Sequence, residues 1–383
     1  MLLQTILFGT VYILIFSGYY TVTGFLSIAY PTTGFWSFVC FYTVYALGSL
    51  IAPYFISRVN FRILFLLSGI SFVVFVGLAS SQMFPLLMVG SAIGGVGNSF
   101  IWLIQGSWLS HNKVSMGLFY SLFNINMIIG NLLSVIVLTT GASVQIMMFS
   151  MIGVTSIGVS LIFFILPTSE KNQQNSIVIK TKEVFLSSKK CYLLILCMVY
   201  SSIGLNVTYQ ILPKLLFLSS ENDQTKAIFN SVMYIIYGLT AMGASVLWTK
   251  LFSLNWKYLV IPYTILEILC LIIMLLLTKY TTIVYYWLII GFLRGGIDYG
   301  INNLINITLS RFPENDIDNL FGLYRFIYAT SYLVTAICVG YVPYEYILLI
   351  CGIFCILSSI SYFFFNFSLS KLEKEFDKSA ITV

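Results

Sequence analysis

The chain has 383 residues, of which 59% are hydrophobic and only 8% are charged. Water-soluble globular proteins carry about 25% charged residues, so this composition excludes that class and indicates a polytopic membrane protein. The net charge of +6 is distributed among the segments between apolar stretches, where it reports membrane topology, and it does not predict nucleic-acid binding.

Twelve apolar stretches follow one another along the chain, and each matches the width of a bilayer core. About 20 apolar residues cross that core as a helix. Backbone amides in hydrocarbon must be paired within the segment, so stretches of this length are helices. The predicted spans are 5–27, 35–56, 61–80, 84–108, 116–138, 143–166, 190–212, 226–250, 256–278, 281–305, 317–340 and 343–367. The predicted fold is therefore an all-α integral membrane protein with twelve transmembrane helices.

A polar segment at residues 167–190 divides these spans into six and six. We predict an N-terminal six-helix bundle (1–166), a cytoplasmic linker (167–189), a C-terminal six-helix bundle (190–367) and a cytoplasmic tail (368–383). GSAIGG at 90–95 matches GFLRGG at 291–296, and GLFY at 117–120 matches GLYR at 322–325. Matches at corresponding places in corresponding helices predict that the two bundles are internal repeats.

Lysine and arginine are distributed unequally between the two sides of the predicted bundle. With the N-terminus inside, fourteen of these residues lie in inner segments and three, Lys214, Lys226 and Lys279, lie in outer loops. Cytoplasmic loops retain positive charge, so both termini are predicted to be cytoplasmic. The sequence does not distinguish the plasma membrane from an internal membrane.

Apart from Arg62 at the end of the third span, the six spans of the first half contain no charged side chain, so a ligand would meet amides, hydroxyls or rings there. Trp102, Gln105 and Trp108 recur every third residue and form a strip along the fourth span. Buried amides in membrane proteins also form hydrogen bonds between helices, so packing is the alternative for each. The polar and aromatic candidates of this half are Asn98, Trp102, Gln105, Trp108, Asn124 and Asn131.

The second half places four charged side chains in its spans away from the span ends, and charge in a bilayer is costly unless it is paired or hydrated. They are Glu267, Arg294, Asp298 and Arg325. Arg294 and Asp298 are four residues apart on one helix and are expected to pair. Two interpretations are open: an arginine or carboxylate handles substrate or protons, or the two positive and two negative groups neutralise one another and lock the bundle. Further polar candidates are Asn302, Asn306 and Tyr324.

Three motifs carry a resemblance to a known family. They are GSLIAPYFISRVNFR at 48–62, GSAIGGVGNSFIWLIQGSWLS at 90–110, and Asp298 followed by an asparagine cluster and FGLYRF at 321–326. The arrangement is similar to the major facilitator superfamily, and within it to the uncoordinated-ninety-three-like family of ion channel regulatory proteins. In that family proline, here Pro53, replaces an aspartate of most transporters.

The superfamily layout implies where the charged residues lie. The tenth and eleventh helices of that layout border the central cavity, which implies that Arg294, Asp298 and Arg325 lie near a substrate path. The ninth helix is peripheral in that layout, which leaves the position of Glu267 open.

The sequence shows no phosphate loop and no metal-ligand spacing, so we predict neither an enzyme nor a cofactor. Three functions remain. The first is a secondary transporter that moves a small molecule or ion by alternating access. The second is a regulatory or trafficking subunit of another membrane protein, such as a potassium channel. A channel is the third, and it is disfavoured because no re-entrant, filter-like segment is present. The predicted partners are therefore the lipid bilayer and a solute or a membrane protein, without nucleic acid.

Overall fold

The computed structural model describes residues 2–30, 33–56, 58–112, 114, 116–165, 192–217, 222–280, 285–309 and 317–381, and the predicted linker at 167–189 lies outside them. The described helices are α1 (Leu2–Ala29), α2 (Gly34–Ile56), α3 (Phe61–Ser80), α4 (Phe84–His111), α5 (Met116–Phe123), α6 (Ile125–Thr139), α7 (Val144–Leu161), α8 (Tyr192–Asn206), α9 (Leu212–Phe217), α10 (Asp223–Tyr280), α11 (Tyr285–Leu309), α12 (Ile317–Tyr341) and α13 (Tyr344–Ile381). The predicted all-α membrane fold is confirmed.

Eleven segments of the described chain are long and apolar enough to cross a bilayer. The predicted span that is missing from these eleven is the tenth, which corresponds to α11; this helix has 25 residues but carries Arg294, Asp298 and three asparagines. Most of α11 is buried inside the protein, so its polar side chains face neighbouring helices instead of lipid. A helix in that position can span the membrane with a lower mean hydropathy.

The eighth and ninth predicted spans correspond to the separate spans Asp223–Leu251 and Val260–Leu277, although helical residues also run through the predicted break at 251–255, so that the whole segment is labelled α10. The sequence between the spans, LFSLNWKYL at 251–259, contains neither glycine nor proline to end a helix. The rings of Trp248 and Tyr263 nevertheless lie 5.8 Å apart, whereas fifteen residues of straight helix would separate them by about 22 Å. The helix therefore reverses its direction between these rings and supplies two antiparallel arms.

Three other boundaries differ from the predictions. The fifth span is divided into α5 and α6 by a turn at Asn124. The seventh span contains a π-helical turn, Val207–Ile211, between α8 and α9. The last helix continues to Ile381, so the tail predicted to begin at residue 368 is helical. No helix-breaking glycine or proline follows Tyr344 within α13 except Gly352, which explains why the helix does not end at the predicted membrane surface.

The two halves pack against each other along α2 and α12. We call the end of the bundle where α2 ends and α12 begins the inner end, and the opposite end the outer end. At the outer end the Phe35 and Tyr341 rings lie 5.8 Å apart, and in the middle Tyr42 stacks on Tyr332 at 3.7 Å. At the inner end Pro53 packs against Gly322. This seam is therefore closed at both ends.

A second seam joins α5 and α6 of the first half to α10 of the second. At its outer end the Gln224 side-chain amide donates to the Leu138 carbonyl over 2.9 Å. At its inner end Gly117 packs against Thr249. Both seams hold the halves together at each end, and we call this arrangement occluded; an open cavity of about 830 Å³ indents the outer end beside Leu138 and Gln224.

Candidate functional site

A cavity of about 40 Å³ lies between the two halves, and we call it the central cavity. Its volume matches one or two water molecules. Tyrosines and other aromatic residues dominate the wall, and Arg325 is the one charged residue in it. The lining residues are Tyr19, Tyr20, Tyr42, Tyr45, Asn98, Trp102, Tyr120, Phe123, Leu205, Tyr299, Asn302, Arg325 and Tyr328.

Arg325 extends from α12 into the first half. Its Nη2 donates to Gln105 Oε1 over 3.3 Å, and its guanidinium carbon lies 4.7 Å from the ring centres of both Trp102 and Tyr324. Such cation–π contacts stabilise a buried cation but do not neutralise it. The side chain is buried, and no carboxylate of the described residues lies within 4 Å of it. The central cavity therefore carries a positive charge that no carboxylate of the described residues contacts directly.

Three polar atoms in the cavity wall have no hydrogen-bond partner among the described residues. They are Arg325 Nε, which is a donor, Asn98 Oδ1, which is an acceptor, and the Tyr45 hydroxyl, which can do either. A buried polar group without a partner costs about 1–3 kcal/mol. Since a donor and an acceptor from opposite halves face one small cavity, the site can receive a ligand that provides both an acceptor and a donor.

The other three charged residues of the second half form one group, which we call the charge cluster. Arg294 Nη1 lies 2.6 Å from Glu267 Oε1 and 2.7 Å from Oε2, and Arg294 Nη2 donates to Asp298 Oδ1. The exposed fractions of Arg294 and Glu267 are 0%, and that of Asp298 is 4%. Charge-assisted bonds to one planar guanidinium fix both carboxylates in place.

The π-helical turn supplies the remaining partners of the charge cluster. Thr208 lies on this turn, where its hydroxyl accepts from Arg294 Nε over 3.0 Å and donates to Asp298 Oδ2 over 2.5 Å. Arg294 Nη2 also donates to the Gly204 carbonyl over 2.7 Å, and the Tyr237 hydroxyl donates to Asp298 Oδ2 over 3.1 Å. π-helical turns often occur at functional sites, because the wider turn redirects side chains and carbonyls.

The charge cluster lies directly behind one wall of the central cavity. Asn302 in that wall is one helical turn from Asp298, and its side-chain amide donates to the Asp298 carbonyl over 3.0 Å. Leu205 in the same wall follows Gly204 in sequence. The rings of Tyr237 and Tyr299 lie 6.3 Å apart and connect Asp298 with the cavity. Changes of charge at the two sites therefore act over a short distance.

The structure brings six of the predicted candidates to the cavity or to Arg325. Asn98, Trp102, Asn302 and Arg325 line the cavity. Gln105 and Tyr324 hold Arg325, and the Tyr324 hydroxyl also donates to Asn302 Oδ1 over 2.9 Å.

Four other candidates lie away from the cavity wall. Trp108 stacks on Phe8 at 4.2 Å within the first half. The Asn131 and Asn306 amides donate to carbonyls of their own helices, and Asn124 donates to Ser245 across the second seam over 3.1 Å.

The structure separates one of the four charged residues from the others. They do not form a single group, because Arg325 lies on the cavity and is separate from the other three. Glu267, whose position the superfamily layout left open, pairs with Arg294 because the second arm of α10 folds back against α11.

Sequence reasoning missed most of the tyrosines that line the cavity and the hydroxyls that hold Asp298. The spacing of Tyr324, Tyr328 and Tyr332 at every fourth residue was an available signal, since it places three tyrosines on one helix face. No comparable signal marked Thr208 or Tyr237, which come from other helices.

Comparisons with known proteins agree with this architecture. A sequence profile of the Major Facilitator Superfamily matches residues 1–336. Comparison with curated protein sequences gave no match. Among solved structures, the chain is similar to the proton:xylose symporter XylE of this superfamily, bound to 6-bromo-6-deoxy-D-glucose. That comparison has a TM-score of 0.66 and 12% identity, and it covers 94% of each chain. The match over most of the sequence and the shared fold lead to one conclusion: the chain belongs to the major facilitator superfamily.

Proposed function

We propose that this secondary transporter of the major facilitator type binds its solute in the central cavity and that Arg325 holds an anionic group of that solute. The observation that carries the proposal is the unpaired charge of Arg325 in a cavity lined by both halves. Burying a cation without a counter-charge is costly, and a bound anion removes that cost. Seams that are closed at both ends fit the occluded intermediate of alternating access.

The shape and chemistry of the wall restrict the solute further. Trp102, Phe123 and several tyrosines supply flat apolar surface, and Asn98 Oδ1 supplies one acceptor. A small organic carboxylate with an apolar or aromatic body complements these groups, and the cavity of about 40 Å³ must widen to admit it. Benzoate is therefore a suitable probe, and hydroxybenzoates add the donor that Asn98 lacks.

The test is the melting temperature of the detergent-purified protein with benzoate, hydroxybenzoates, amino acids, sugars, nucleosides and inorganic cations. A compound that binds the folded state raises the melting temperature by mass action. At a free compound concentration of 100 times Kd, the free energy of unfolding increases by about 2.7 kcal/mol. We expect a carboxylate to stabilise the wild type and Arg58→Ala, which removes an exposed arginine next to Tyr54. We expect no stabilisation of Arg325→Ala. A carboxylate that stabilises Arg325→Ala equally well would contradict the proposed site.

The orientation belongs to the same proposal. We infer that the inner end faces the cytoplasm, because fourteen of the lysines and arginines lie in segments predicted on that side and three on the other. The solute would then enter from the outer end, where α2 meets α12, or leave through it.

A regulatory subunit is the second candidate, and the contact of Pro53 with Gly322 favours it. This contact closes the inner end by van der Waals packing alone, at the position where the resembled family replaces an aspartate by proline. The finer assignment to the uncoordinated-ninety-three-like family rests on this segment and on the motifs of α4, α11 and α12. No stabilising compound in the melting series, together with a second membrane protein that co-purifies stoichiometrically, would favour regulation over transport.

A further inference from the structure

The charges inside the bundle sum to zero only if both carboxylates of the charge cluster are ionised. Arginine remains protonated in proteins, so Arg294 and Arg325 each contribute +1. Ionised Glu267 and Asp298 give the cluster a net charge of −1 beside the +1 of Arg325. An anion bound at Arg325 would therefore leave the buried interior with a net charge of −1.

Neighbouring titratable groups do not supply the missing positive charge. The ordinary pKa values of tyrosine and cysteine lie above 8, so these side chains are neutral at pH 7. The charge cluster is buried, and an uncompensated charge there costs several kcal/mol. The titratable side chains that face the cluster are Tyr200 of α8, Tyr234, Tyr237, Tyr263 and Cys270 of α10, Tyr299 of α11, and Cys351 and Cys355 of α13.

We propose that Asp298 binds one proton whenever an anion occupies the central cavity, so that the chain carries the two together without net charge. This inference rests on the proposed function. Empty, the interior holds Arg325 at +1 and the cluster at −1. Loaded, the anion neutralises Arg325, and the proton on Asp298 neutralises the cluster. The buried interior has zero net charge in both states, which lowers the free-energy cost of reorienting the two halves within the bilayer.

Asp298 is better placed for this proton than Glu267. Both Glu267 oxygens lie within 2.7 Å of Arg294 Nη1, on the arm of α10 that faces α13. Asp298 lies one turn from the cavity wall at Asn302, and its Oδ2 meets two hydroxyls, those of Thr208 and Tyr237. A hydroxyl can rotate and accept from a protonated carboxyl, so Oδ2 keeps hydrogen-bond partners in both protonation states.

The proton site is tested first without any solute, by infrared difference spectroscopy of the purified wild type between pH 8 and pH 5.5. We expect a band of a protonated, buried carboxyl at the lower pH. It should be absent in Asp298→Asn and present in Glu267→Gln. Tyr237→Phe removes one hydrogen bond to Asp298 and no charge, so the band should persist with a displaced midpoint. Loss of the band in Glu267→Gln alone, or no titrating buried carboxyl in the wild type, would overturn the assignment.

The coupling is tested by benzoate binding as a function of pH. Lower pH protonates Asp298, removes the negative charge behind the cavity and strengthens anion binding. Above the titration midpoint, the wild-type Kd should therefore rise by up to about tenfold per pH unit, as linkage to one proton requires. Asp298→Asn imitates the protonated state and should bind tightly at every pH.

The two proposals fail in different ways. Benzoate binding that depends on Arg325 but not on pH would overturn the coupling and leave the proposed function intact. A titrating Asp298 band in a protein that binds no carboxylate would support the proton site and contradict the anion site.

Discussion

At the residue scale, Arg294 is the side chain on which the second half depends most. It contacts two carboxylates, one hydroxyl and one carbonyl from three helices and the π-helical turn, without exposure to solvent or lipid. A buried ion pair adds little stability compared with apolar packing, but removing one partner leaves an unpaired charge. The charge cluster is therefore a structural lock as well as a proposed proton site.

Arg294→Met should destabilise the protein by roughly 3–5 kcal/mol, because it strands Glu267 and Asp298 in the bundle. The loss should be greater at pH 8 than at pH 5.5, since protonation neutralises the stranded carboxylates. The triple variant Arg294→Met, Glu267→Gln, Asp298→Asn contains no stranded charge and should recover most of the melting temperature. Arg58→Met, which removes an exposed arginine, is the control and should melt like the wild type. If Arg294→Met also melts like the wild type, the charge cluster is not a structural lock.

The pairing of Arg294 with Asp298 was predictable from their spacing of four on one helix. Glu267 was not predictable, because it is 27 residues from Arg294 and reaches it only after α10 reverses direction. Nor did the charge balance of the sequence reveal that Arg325 stands apart.

At the element scale, α2 and α12 form the seam whose two ends must open in turn if the protein transports. Glycine permits close contact at both ends. A β-carbon on Gly322 would lie 2.8 Å from Pro53 at the inner end, and one on Gly340 would lie 2.8 Å from Phe35 at the outer end. A larger side chain at either position therefore acts as a wedge on one end only.

Gly322→Leu should open the inner end and Gly340→Leu the outer end. The measurement is labelling of a cysteine at Asn302, in the cavity wall, by a membrane-impermeant maleimide applied to one side of sealed vesicles. We expect labelling from opposite sides in the two variants. Gly153→Leu is the control, because a β-carbon added at Gly153 would have no atom within 4 Å. It should be labelled to the same extent as the protein that carries only the cysteine at Asn302. Equal labelling of all three would show that this seam is not a gate.

The elements themselves were largely predictable, because a bilayer admits helices of one approximate length. Their ends were less so. The reversal in α10 and the extension of α13 contain no strong helix-breaking signal, and the turn at Asn124 and the π-helical turn lie within apolar stretches.

At the scale of the whole molecule, the central cavity exists only because seven helices meet there: α1, α2, α4, α5, α8, α11 and α12. Each contributes one or two side chains, so no local pattern identifies the set. The sequence predicted the charged and amide members, which are rare in a membrane. It did not predict the tyrosines, which are common in this chain and of which a few line the cavity.

The central claim is that the ends closed in this structure open alternately around a solute held by Arg325. Electron–electron distance measurements test it most directly, with spin labels at Thr139 and Asp223 for the outer end and at Leu118 and Leu247 for the inner end. All four positions are exposed. We predict that one pair lengthens as the other shortens, and that benzoate shifts both pairs toward the short distances of the occluded state in the wild type but not in Arg325→Ala. Two short distances that no carboxylate and no variant alters would contradict transport and leave the regulatory function as the better account.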